Sequence, residues 1–399
     1  MGRPFQSNEE VIMSKSRSAY VIDPYSRGSY HEVINQSYLM MIASLYERVI
    51  YIANKSSCEN LKKLLTECHF DYSNVVFVEK HFTRIHTGWD GLDYLLFMIL
   101  TGWLDYLYYM RVKDDSDVFY NNNLYEGISL IKLFSFGRSN RVFDMCHSDM
   151  EHIEKEKDDT LAIKFFGWYL RHVFKHTKIS RKIHFILLSS DMVKIFSRHI
   201  LPVNKELIFS LDHAYIRPNN VIVKEKSNDG KIRIGIPGAI TPTRGLGTLK
   251  YILEHLTNEN VIIYSLSFVN GNINSEHFVE LNKTGGLLPF DEYNANVQKM
   301  DLLLLLYDKD SYKLTASGAV LEAIWDSKPI IALENYYFRY LFNKFGDLGI
   351  LCDSLENLTK YINNIQASNV IDKYNQTLQK AKEQLMPRNV VKQLEQIVR

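Results

Sequence analysis

The chain has 399 residues, of which 46% are hydrophobic and 23% are charged, and its formal net charge is +1. This length is too great for one ordinary hydrophobic core, so we expect two domains. The charge balance argues against a nucleic-acid partner, which usually binds a basic domain or stripe. The four cysteines form no Cys-x-x-Cys pair. Their scatter indicates neither a zinc site nor a disulfide framework, and it suits a reducing cytoplasm.

The N-terminal residues 1–18 are polar, and we expect a flexible tail there, because a signal peptide needs an apolar core. The longest apolar run, YLLFMILTGWL at 94–104, lies between Asp93 and Asp105. It is too short to span a bilayer, and it predicts a buried helix. These features predict a cytoplasmic protein.

The first half of the chain alternates short β-branched strands with helices. Strands are predicted in AYVID (19–23), RVIYIA (48–53), NVVFVE (74–79) and KIHFILLSS (182–190), with a helix in CENLKKLLTECHF. Residues 90–180 are predicted to be mostly helical. Strand–helix alternation is typical of a parallel sheet with helices on its faces.

The same pattern restarts after residues 216–230, IRPNNVIVKEKSNDG, which we interpret as a linker. Strands are then predicted in KIRIGIPG, NVIIYSL, DLLLLLYD, KPIIAL and GILC, with a helix in LGTLKYILEHL. The continuous apolar run DLLLLLYD is typical of a strand buried on both faces. The predicted fold is α/β, with two facing domains at 19–215 and 231–375, a cleft between them, and a C-terminal helix at 376–399.

A capped helix start is predicted in TASGAVLEAIWDSKPIIAL, residues 315–333. Ser317 is the predicted N-cap of a helix that begins at Gly318. Ligands of open parallel sheets bind beyond the carboxyl ends of the strands, and a helix start favours a phosphate. Glu322 lies on the same helix face about 6 Å further along, within reach of a ribose diol. The stretch predicts a sugar-nucleotide site; an ordinary cap with an exposed glutamate is the alternative.

Three stretches resemble GT-B glycosyltransferases, whose two domains are Rossmann-like. SGAVLEAIWDSKPIIAL is similar to their donor-binding signature, and IRIGIPGAITPTRGLGTLKYIL to the first strand and loop of their C-terminal domain. LLPFDEYNANVQKMDLLLLLY resembles the segment that lines their nucleobase pocket. The resemblance covers residues 231–352 and extends to the first half only in architecture. Among these enzymes, the motifs are most similar to those of the GT4-like group, which includes bacterial capsule and lipopolysaccharide sugar transferases.

The resemblance implies a set of donor-binding residues in the second half. Glu322 would hold the ribose hydroxyls, and the backbone at Ser317 and Gly318 would hold the phosphates. One position departs from the family pattern. Many retaining members carry an acidic residue eight positions before the signature glutamate, where this chain has Leu314. The stereochemical outcome of the transfer therefore stays open.

Three other donor-binding residues that the resemblance implies lie in the glycine loop at 237–245, between the strand in KIRIGIPG and the helix in LGTLKYILEHL. Arg244, directly before Gly245, would be the cationic partner of the diphosphate, because its planar guanidinium pairs with phosphate oxygens. Gly238 would form the close turn. Phe290 lies in the segment assigned to the nucleobase. Taken alone, Arg244 fits a surface arginine equally well.

Two stretches of the first half compete to supply the general base that an inverting transfer needs. YSRGSYHEVIN places Gly28 and His31 in the loop after the first strand, and RVFDMCHSDMEHI gathers His147, Asp149 and Glu151. The candidates for catalysis are His147, Asp149 and His31, whereas Gly28 and Glu151 would contact the acceptor. A solvated helix start is the alternative interpretation of the second cluster.

Two further features are interpreted as structural. His213, just before the predicted linker, is expected to be a satisfied structural histidine. Asp115-Ser116-Asp117 superficially matches the metal-binding Asp-x-Asp motif of the GT-A architecture, and we interpret it as a loop. We expect no metal site, with Arg244 and the helix start replacing a cation at the leaving diphosphate.

The predicted activity is transfer of a sugar from a UDP- or GDP-type nucleotide sugar, without a further cofactor, to a glycan, lipid-linked or other hydroxyl acceptor. The resemblance suggests bacterial surface polysaccharide synthesis. The alternatives are a non-hydrolysing sugar-nucleotide epimerase and a non-catalytic subunit that partners a transferase. The aromatic residues at 89–125 predict, in addition, peripheral contact with the inner face of the cell membrane.

Overall fold

A computed structural model describes residues 16–27, 31–82, 85–113, 115–121, 138–154, 161–218, 229–242, 244–283, 285, 288–366 and 370–399. The chain divides into two compact units. Unit 1 comprises Met1–Pro218, Leu314–Ala316 and Leu385–Arg399, and unit 2 comprises Asn219–Lys313 and Ser317–Gln384. Most of the predicted N-terminal tail and residues 219–228 of the predicted linker lie outside the described part.

The strands and helices alternate along nearly the whole described chain. The strands are β1 (Ser16–Asp23), β2 (Tyr46–Asn54), β3 (Val75–Lys80), β4 (Asp117–Tyr120), β5 (Val142–Cys146), β6 (Ile183–Leu187), β7 (Ile208–Ser210), β8 (Ile232–Ile236), β9 (Val261–Ser265), β10 (Phe278–Glu280), β11 (Leu302–Leu305), β12 (Ile330–Leu333) and β13 (Gly349–Cys352). The α-helices are α1 (Glu32–Leu45), α2 (Lys55–Glu67), α3 (Asp90–Tyr109), α4 (Leu161–His176), α5 (Ser190–Phe196), α6 (Leu246–Glu254), α7 (Phe290–Gln298), α8 (Gly318–Trp325), α9 (Tyr336–Phe345), α10 (Leu355–Asn364), α11 (Val370–Leu385) and α12 (Pro387–Val398). Two 3-10 helices span Ser148–Ile153 and Pro202–Leu207.

Unit 1 is built on a parallel sheet with the strand order β3-β2-β1-β4-β5-β6-β7. β1 lies at its centre, where Val21 pairs with Tyr51 of β2 on one side and with Phe119 of β4 on the other. Every residue of β4 and β5 is buried, as expected of strands covered on both faces. These two strands correct the prediction that residues 90–180 are mostly helical.

The helix predicted at 94–104 exists as part of α3, but only one of its faces is buried. Phe97, Met98 and Asp105 are buried, whereas Ile99 and Trp103 are exposed. The run is apolar on all sides of the helix, and one of its apolar faces is therefore exposed to solvent. Among the described residues, no helix combines the length and the apolar character that crossing a bilayer requires.

Asp117, the last residue of the Asp-x-Asp match, is the first residue of β4 and not part of a loop. Its carboxylate accepts two hydrogen bonds from the Arg141 guanidinium, at 2.9 and 2.6 Å, and one from the Tyr46 hydroxyl at 2.7 Å. The same guanidinium donates to the carbonyl of Val398 at 2.6 Å. This carboxylate is therefore a structural anchor that ties the sheet to the end of α12.

The C-terminal helix α12 completes unit 1. It packs against α1, and Gln393 donates to the Asp212 carboxylate at 2.6 Å. The backbone N–H of Tyr215 donates to the carbonyl of Leu385 at 2.9 Å. Unit 1 is thus assembled from segments that are far apart in the sequence.

Unit 2 is built on a separate parallel sheet with the strand order β10-β9-β8-β11-β12-β13. Ile234, Leu304 and Ile331, on three neighbouring strands, are buried in one hydrophobic cluster. The strands predicted in this half are confirmed, and the short β10 is an addition. Two distinct parallel sheets flanked by helices confirm the prediction of two Rossmann-like domains.

Candidate functional site

The strand order of unit 2 places a topological switch point between β8 and β11. The chain leaves β8 toward β9 on one side and leaves β11 toward β12 on the other. In doubly wound folds a crevice forms at this point, beyond the carboxyl ends of the strands, and ligands bind there. A cavity lies at that place, lined by residues 236–240, Arg244, Leu306 and Tyr307.

The loop between β8 and α6 forms one wall of this cavity. Gly238 has a φ of +79°, and nothing lies within 4 Å of the position that a Cβ would take there. Gly245, the N-cap of α6, has a φ of +74°, and a Cβ on it would lie 2.4 Å from the Cβ of Leu306. Arg244 is exposed and lines the cavity. The predicted Gly238, Arg244 and Gly245 thus meet at the switch point.

The helix start at α8 follows the other strand of the switch point. Ser317 is buried, and its hydroxyl accepts a hydrogen bond from the backbone N–H of Val320 at 3.4 Å. The predicted N-cap is therefore confirmed. Gly318 is exposed, and a Cβ there would meet nothing within 4 Å beyond its own helix and its chain neighbours. The first turn of α8 is open to a ligand such as a phosphate.

Glu322 lies one turn into α8, is half-buried, and has a partner that the sequence did not indicate. The Tyr293 hydroxyl, on α7, donates to its Oε2 at 2.8 Å. Gln298 of α7 also donates to Asp326, which follows α8, at 2.8 Å, so the two helices lie side by side. Tyr293 lies in the stretch that the resemblance assigned to the nucleobase pocket. That assignment is the sequence feature from which Tyr293 could have been recognised as a site residue.

Unit 1 has its own switch point, between β1 and β4, and buried polar groups fill it. The Asp23 carboxylate accepts from the backbone N–H of Ser26 at 3.1 Å, from Asn35 at 2.8 Å and from the Tyr51 hydroxyl at 3.0 Å. Asn121, directly after β4, donates to Asn35 at 3.3 Å. Sequence reasoning missed this network, which rigidifies the crevice at this switch point.

Three histidines meet in unit 1 around Tyr38 of α1. The imidazole of His147, after β5, lies 5.3 Å from that of His31 and 5.4 Å from that of His213, measured between ring centroids. Tyr38 stacks on His213 at 5.7 Å and meets His147 edge-on at 5.8 Å. The two stretches that competed for the general base in the sequence therefore belong to one cluster.

The protonation of this cluster is set by burial. Burial lowers the pKa of His147 well below its usual range, and the neighbouring His31 and His213 lower it further. Burial also lowers the pKa of His213 to about 4, although its Nδ1 hydrogen bond to the carbonyl of Ala214 acts in the opposite direction. At neutral pH both imidazoles are therefore uncharged. His147 is buried, so a solvated helix start is the wrong interpretation for this residue.

Four other predicted residues are placed as follows. The Glu151 carboxylate accepts a hydrogen bond from the backbone N–H of Leu314 at 2.6 Å, inside unit 1. Asp149 lies in the 3-10 helix Ser148–Ile153, and Phe290 is the first residue of α7, but their side chains lie outside the described part. Gly28 lies outside the described residues altogether.

The Asp105 carboxyl, on α3 of unit 1, is fully buried, and neither of its oxygens has a hydrogen-bond partner among the described residues. Burial raises its pKa well above the usual range, and the nearby Asp144 and Asp23 raise it further. The carboxyl is therefore protonated in the folded state at pH values where it is ionised in the unfolded chain.

We expect Asp105→Asn to stabilise the protein at neutral pH. The folded-state pKa lies above the unfolded one, so this carboxyl stabilises the fold fully only below about pH 3.9, and stability falls as the pH rises from there to the folded-state pKa. In that pH range the free energy of unfolding of the wild type should fall by about 1.4 kcal/mol per pH unit because of Asp105, and the variant should not show this fall. Denaturant unfolding between pH 5 and 8, with Glu59→Gln as an exposed control, measures this; equal slopes in wild type and variant would contradict it.

Comparison with known proteins rests on structure alone, since no protein-family model and no curated protein sequence matches the chain. Solved structures do match over nearly the whole length. TarM has a TM-score of 0.57 and 12% identity, covering 97% of this chain and 98% of its own. A variant of S. aureus TarM in complex with fondaparinux, alpha-GlcNAc-glycerol and UDP has a TM-score of 0.54 and 12% identity, covering 95% and 99%.

A third similar structure is that of WaaG, a glycosyltransferase involved in lipopolysaccharide biosynthesis. It has a TM-score of 0.52 and 11% identity, and the match covers 96% of this chain and 99% of WaaG. These proteins are GT-B glycosyltransferases. Likeness at this level of identity reports on architecture, and it agrees with the two parallel α/β sheets of this chain. The chain therefore has the GT-B fold.

Proposed function

We propose that the protein is a glycosyltransferase that moves a sugar from a nucleotide-sugar donor to a hydroxyl acceptor. The observation that carries this proposal is the switch point of unit 2. There the chain places a cavity with one exposed arginine, a capped and open helix start, and a half-buried carboxylate held by a tyrosine. This set matches the chemistry of a nucleoside diphosphate: a cation and backbone N–H groups for the phosphates, and a carboxylate for a diol.

The donor would bind with its diphosphate between the Arg244 loop and the first turn of α8. Gly238 and Gly318 carry no side chain that would keep the phosphate oxygens from the backbone. The Tyr293 hydroxyl fixes Oε2 of Glu322, and this bond orients the carboxylate for the ribose hydroxyls. When the sugar–phosphate bond breaks, negative charge grows on the leaving diphosphate. Arg244 and the helix start would stabilise it in place of a metal ion.

The acceptor would bind to unit 1, and the histidine cluster is our candidate for its activation. His147 and His31 lie 5.3 Å apart between ring centroids, and the low pKa of His147 keeps its imidazole neutral at physiological pH. A neutral imidazole can take the proton of the acceptor hydroxyl as the new glycosidic bond forms. Gly28 and Asp149 remain candidates from the sequence for contacts with the acceptor or its proton.

The similar structures support a bacterial surface glycan as the setting of this activity. The TarM complex contains UDP and a glycerol-linked GlcNAc, and WaaG acts in lipopolysaccharide biosynthesis. By analogy, we propose a UDP-type donor, a GDP-type donor being the alternative, and a glycan or lipid-linked acceptor, as in the GT4-like group. A cytoplasmic enzyme with a lipid-linked acceptor would work in peripheral contact with the membrane.

Incubating the purified protein with a panel of UDP- and GDP-sugars, with and without bacterial lipid-linked and soluble glycan acceptors, tests the proposal. We expect release of the nucleoside diphosphate that depends on an acceptor and that persists in EDTA. An isomerised donor without an acceptor would indicate the epimerase, and binding without turnover would indicate the non-catalytic subunit. A strict manganese or magnesium requirement would contradict the metal-independent mechanism.

A further inference from the structure

The outer face of α4 carries large apolar side chains in contact with solvent. Leu161, Phe165 and Trp168 are 85%, 53% and 54% exposed. Spacings of four and three residues place them on one stripe of the helix. The rings of Phe165 and Trp168 lie 5.8 Å apart, and His172 stacks on Trp168 at 5.5 Å. We call these four residues the α4 aromatic face.

The core of unit 1 does not account for this face. The opposite side of α4 supplies the buried side chains Phe166, Leu170, Val173 and Phe174. The helix is therefore apolar on two sides, although an outward side of a helix in water is usually polar. The neighbouring α3 shows the same feature, with Ile99 and Trp103 exposed. Three of the chain's four tryptophans, at 89, 103 and 168, are exposed in this part of unit 1.

The α4 helix and the stretch that follows it are rich in basic residues. Residues 161–190 contain six lysines and arginines and no aspartate or glutamate, whereas residues 154–159, before the helix, contain four acidic residues and two lysines. Lys164, Lys175 and Lys178 are exposed, and none of them forms an ion pair with a described residue. On a helix, Lys164 and Lys175 border the stripe that Trp168 occupies. The surface therefore combines an aromatic stripe with exposed lysines that pair with no described carboxylate.

We propose that the α4 aromatic face docks on an anionic lipid bilayer. An amphipathic helix with tryptophan, phenylalanine and leucine on one side and lysines beside them lies in the plane of a membrane interface. Tryptophan prefers the level of the lipid headgroups, and each exposed lysine is attracted to the negative surface. The proposal names the surface, on an element that the aromatic-rich stretch 89–125 does not include.

This inference gives a site to the membrane contact in the proposed function, but its test needs neither donor nor acceptor. The protein is floated with vesicles of phosphatidylcholine, or of phosphatidylcholine mixed with phosphatidylglycerol in roughly equal amounts. We expect binding to the mixed vesicles only, and its loss at about 1 M salt, where the Debye length is about 3 Å. Vesicle binding and sugar transfer can therefore fail independently.

Single substitutions should separate the apolar contribution to vesicle binding from the electrostatic contribution. We expect Trp168→Ser or Phe165→Ser to lower the partition coefficient roughly tenfold. Lys164→Gln and Lys175→Gln should lower it roughly fivefold each. Val203→Ser removes an exposed apolar side chain elsewhere in unit 1 and should leave binding unchanged. Circular dichroism checks that each variant is folded.

Two results would overturn the proposal. The first is wild-type protein that ignores mixed vesicles, or variants of the α4 aromatic face that bind them as wild type does. The second is a dimer in sedimentation that Trp168→Ser converts to a monomer while vesicle binding is absent. In that event a second copy of the chain, and not a bilayer, covers the α4 aromatic face.

Discussion

Glu322→Ala is expected to weaken the binding of UDP or GDP roughly ten- to a hundredfold. A charge-assisted hydrogen bond contributes about 1.5–3 kcal/mol, and each 1.4 kcal/mol is about tenfold in affinity. The bare nucleoside should be affected as strongly as the diphosphate, because both carry the ribose diol. Stability should change little, since this side chain is half-buried and the Tyr293 that donates to it is also partly exposed.

Arg244→Ala should show a different pattern, which makes the pair of variants informative. If its guanidinium binds the diphosphate, the loss should be large for the nucleoside diphosphate and absent for the nucleoside. Tyr293→Phe, which removes the hydroxyl that donates to Glu322, should weaken the binding of both ligands about fivefold. Isothermal titration calorimetry of each variant with nucleoside and nucleoside diphosphate measures these differences.

Glu356→Ala, an exposed glutamate on α10, is the matched control and should bind as wild type does. Wild-type affinity in Glu322→Ala would leave this glutamate an ordinary surface residue, and the ribose site would have to lie elsewhere. Equal losses for nucleoside and diphosphate in Arg244→Ala would argue that this arginine supports the loop and does not touch phosphate.

Gly245→Ala is expected to damage both the stability of unit 2 and the binding of the diphosphate. An added Cβ would lie 2.4 Å from the Cβ of Leu306 and 2.8 Å from its carbonyl oxygen, in a backbone with a φ of +74°. The left-handed conformation costs a non-glycine residue about 1–2 kcal/mol, and overpacking adds about 1–3 kcal/mol. Relief of this clash would move the loop that carries Arg244.

Gly247→Ala, two residues further on, is the control. It lies inside α6, and a Cβ there would meet nothing within 4 Å. Alanine in a helix is favoured over glycine by about 0.8–1.0 kcal/mol, so this variant should be as stable as wild type or slightly more stable. Urea unfolding together with calorimetry with UDP or GDP compares the two. A Gly245→Ala protein that matches Gly247→Ala in both would show that the loop tolerates a side chain.

The sequence predicts every strand of unit 2 except β10, but in unit 1 it misses β4, β5 and β7, and for β4 and β5 the reason is physical. In unit 2 the buried strands alternate with helices, and α8, α9 and α10 each begin at a residue whose side chain caps the helix. In unit 1, β4 and β5 are four and five residues long and buried on both faces, so they show no alternation. Apolar runs of this length do not distinguish a strand from a buried helix. The two strands were therefore absorbed into a predicted helical region.

The site was predictable where it depends on neighbours in sequence and not where it depends on packing. Ser317 bonds the backbone three residues on, and local spacing reveals such a cap. Tyr293 and Glu322 are 29 residues apart, and His31 and His147 are further apart still. Only the order of the strands brings these pairs together, because each residue follows a different strand or lies on a different helix.

The discontinuity of unit 1 determines the order in which the protein can fold as it is synthesised. α1 buries residues 35–43, and α12, which packs against it, follows more than 300 residues later. Domains usually fold one after another from the N-terminus as the ribosome delivers them. Here the first domain to be translated cannot be finished until the second has emerged. Until α12 has been synthesised, α1 therefore lacks the helix that packs against it in the finished unit.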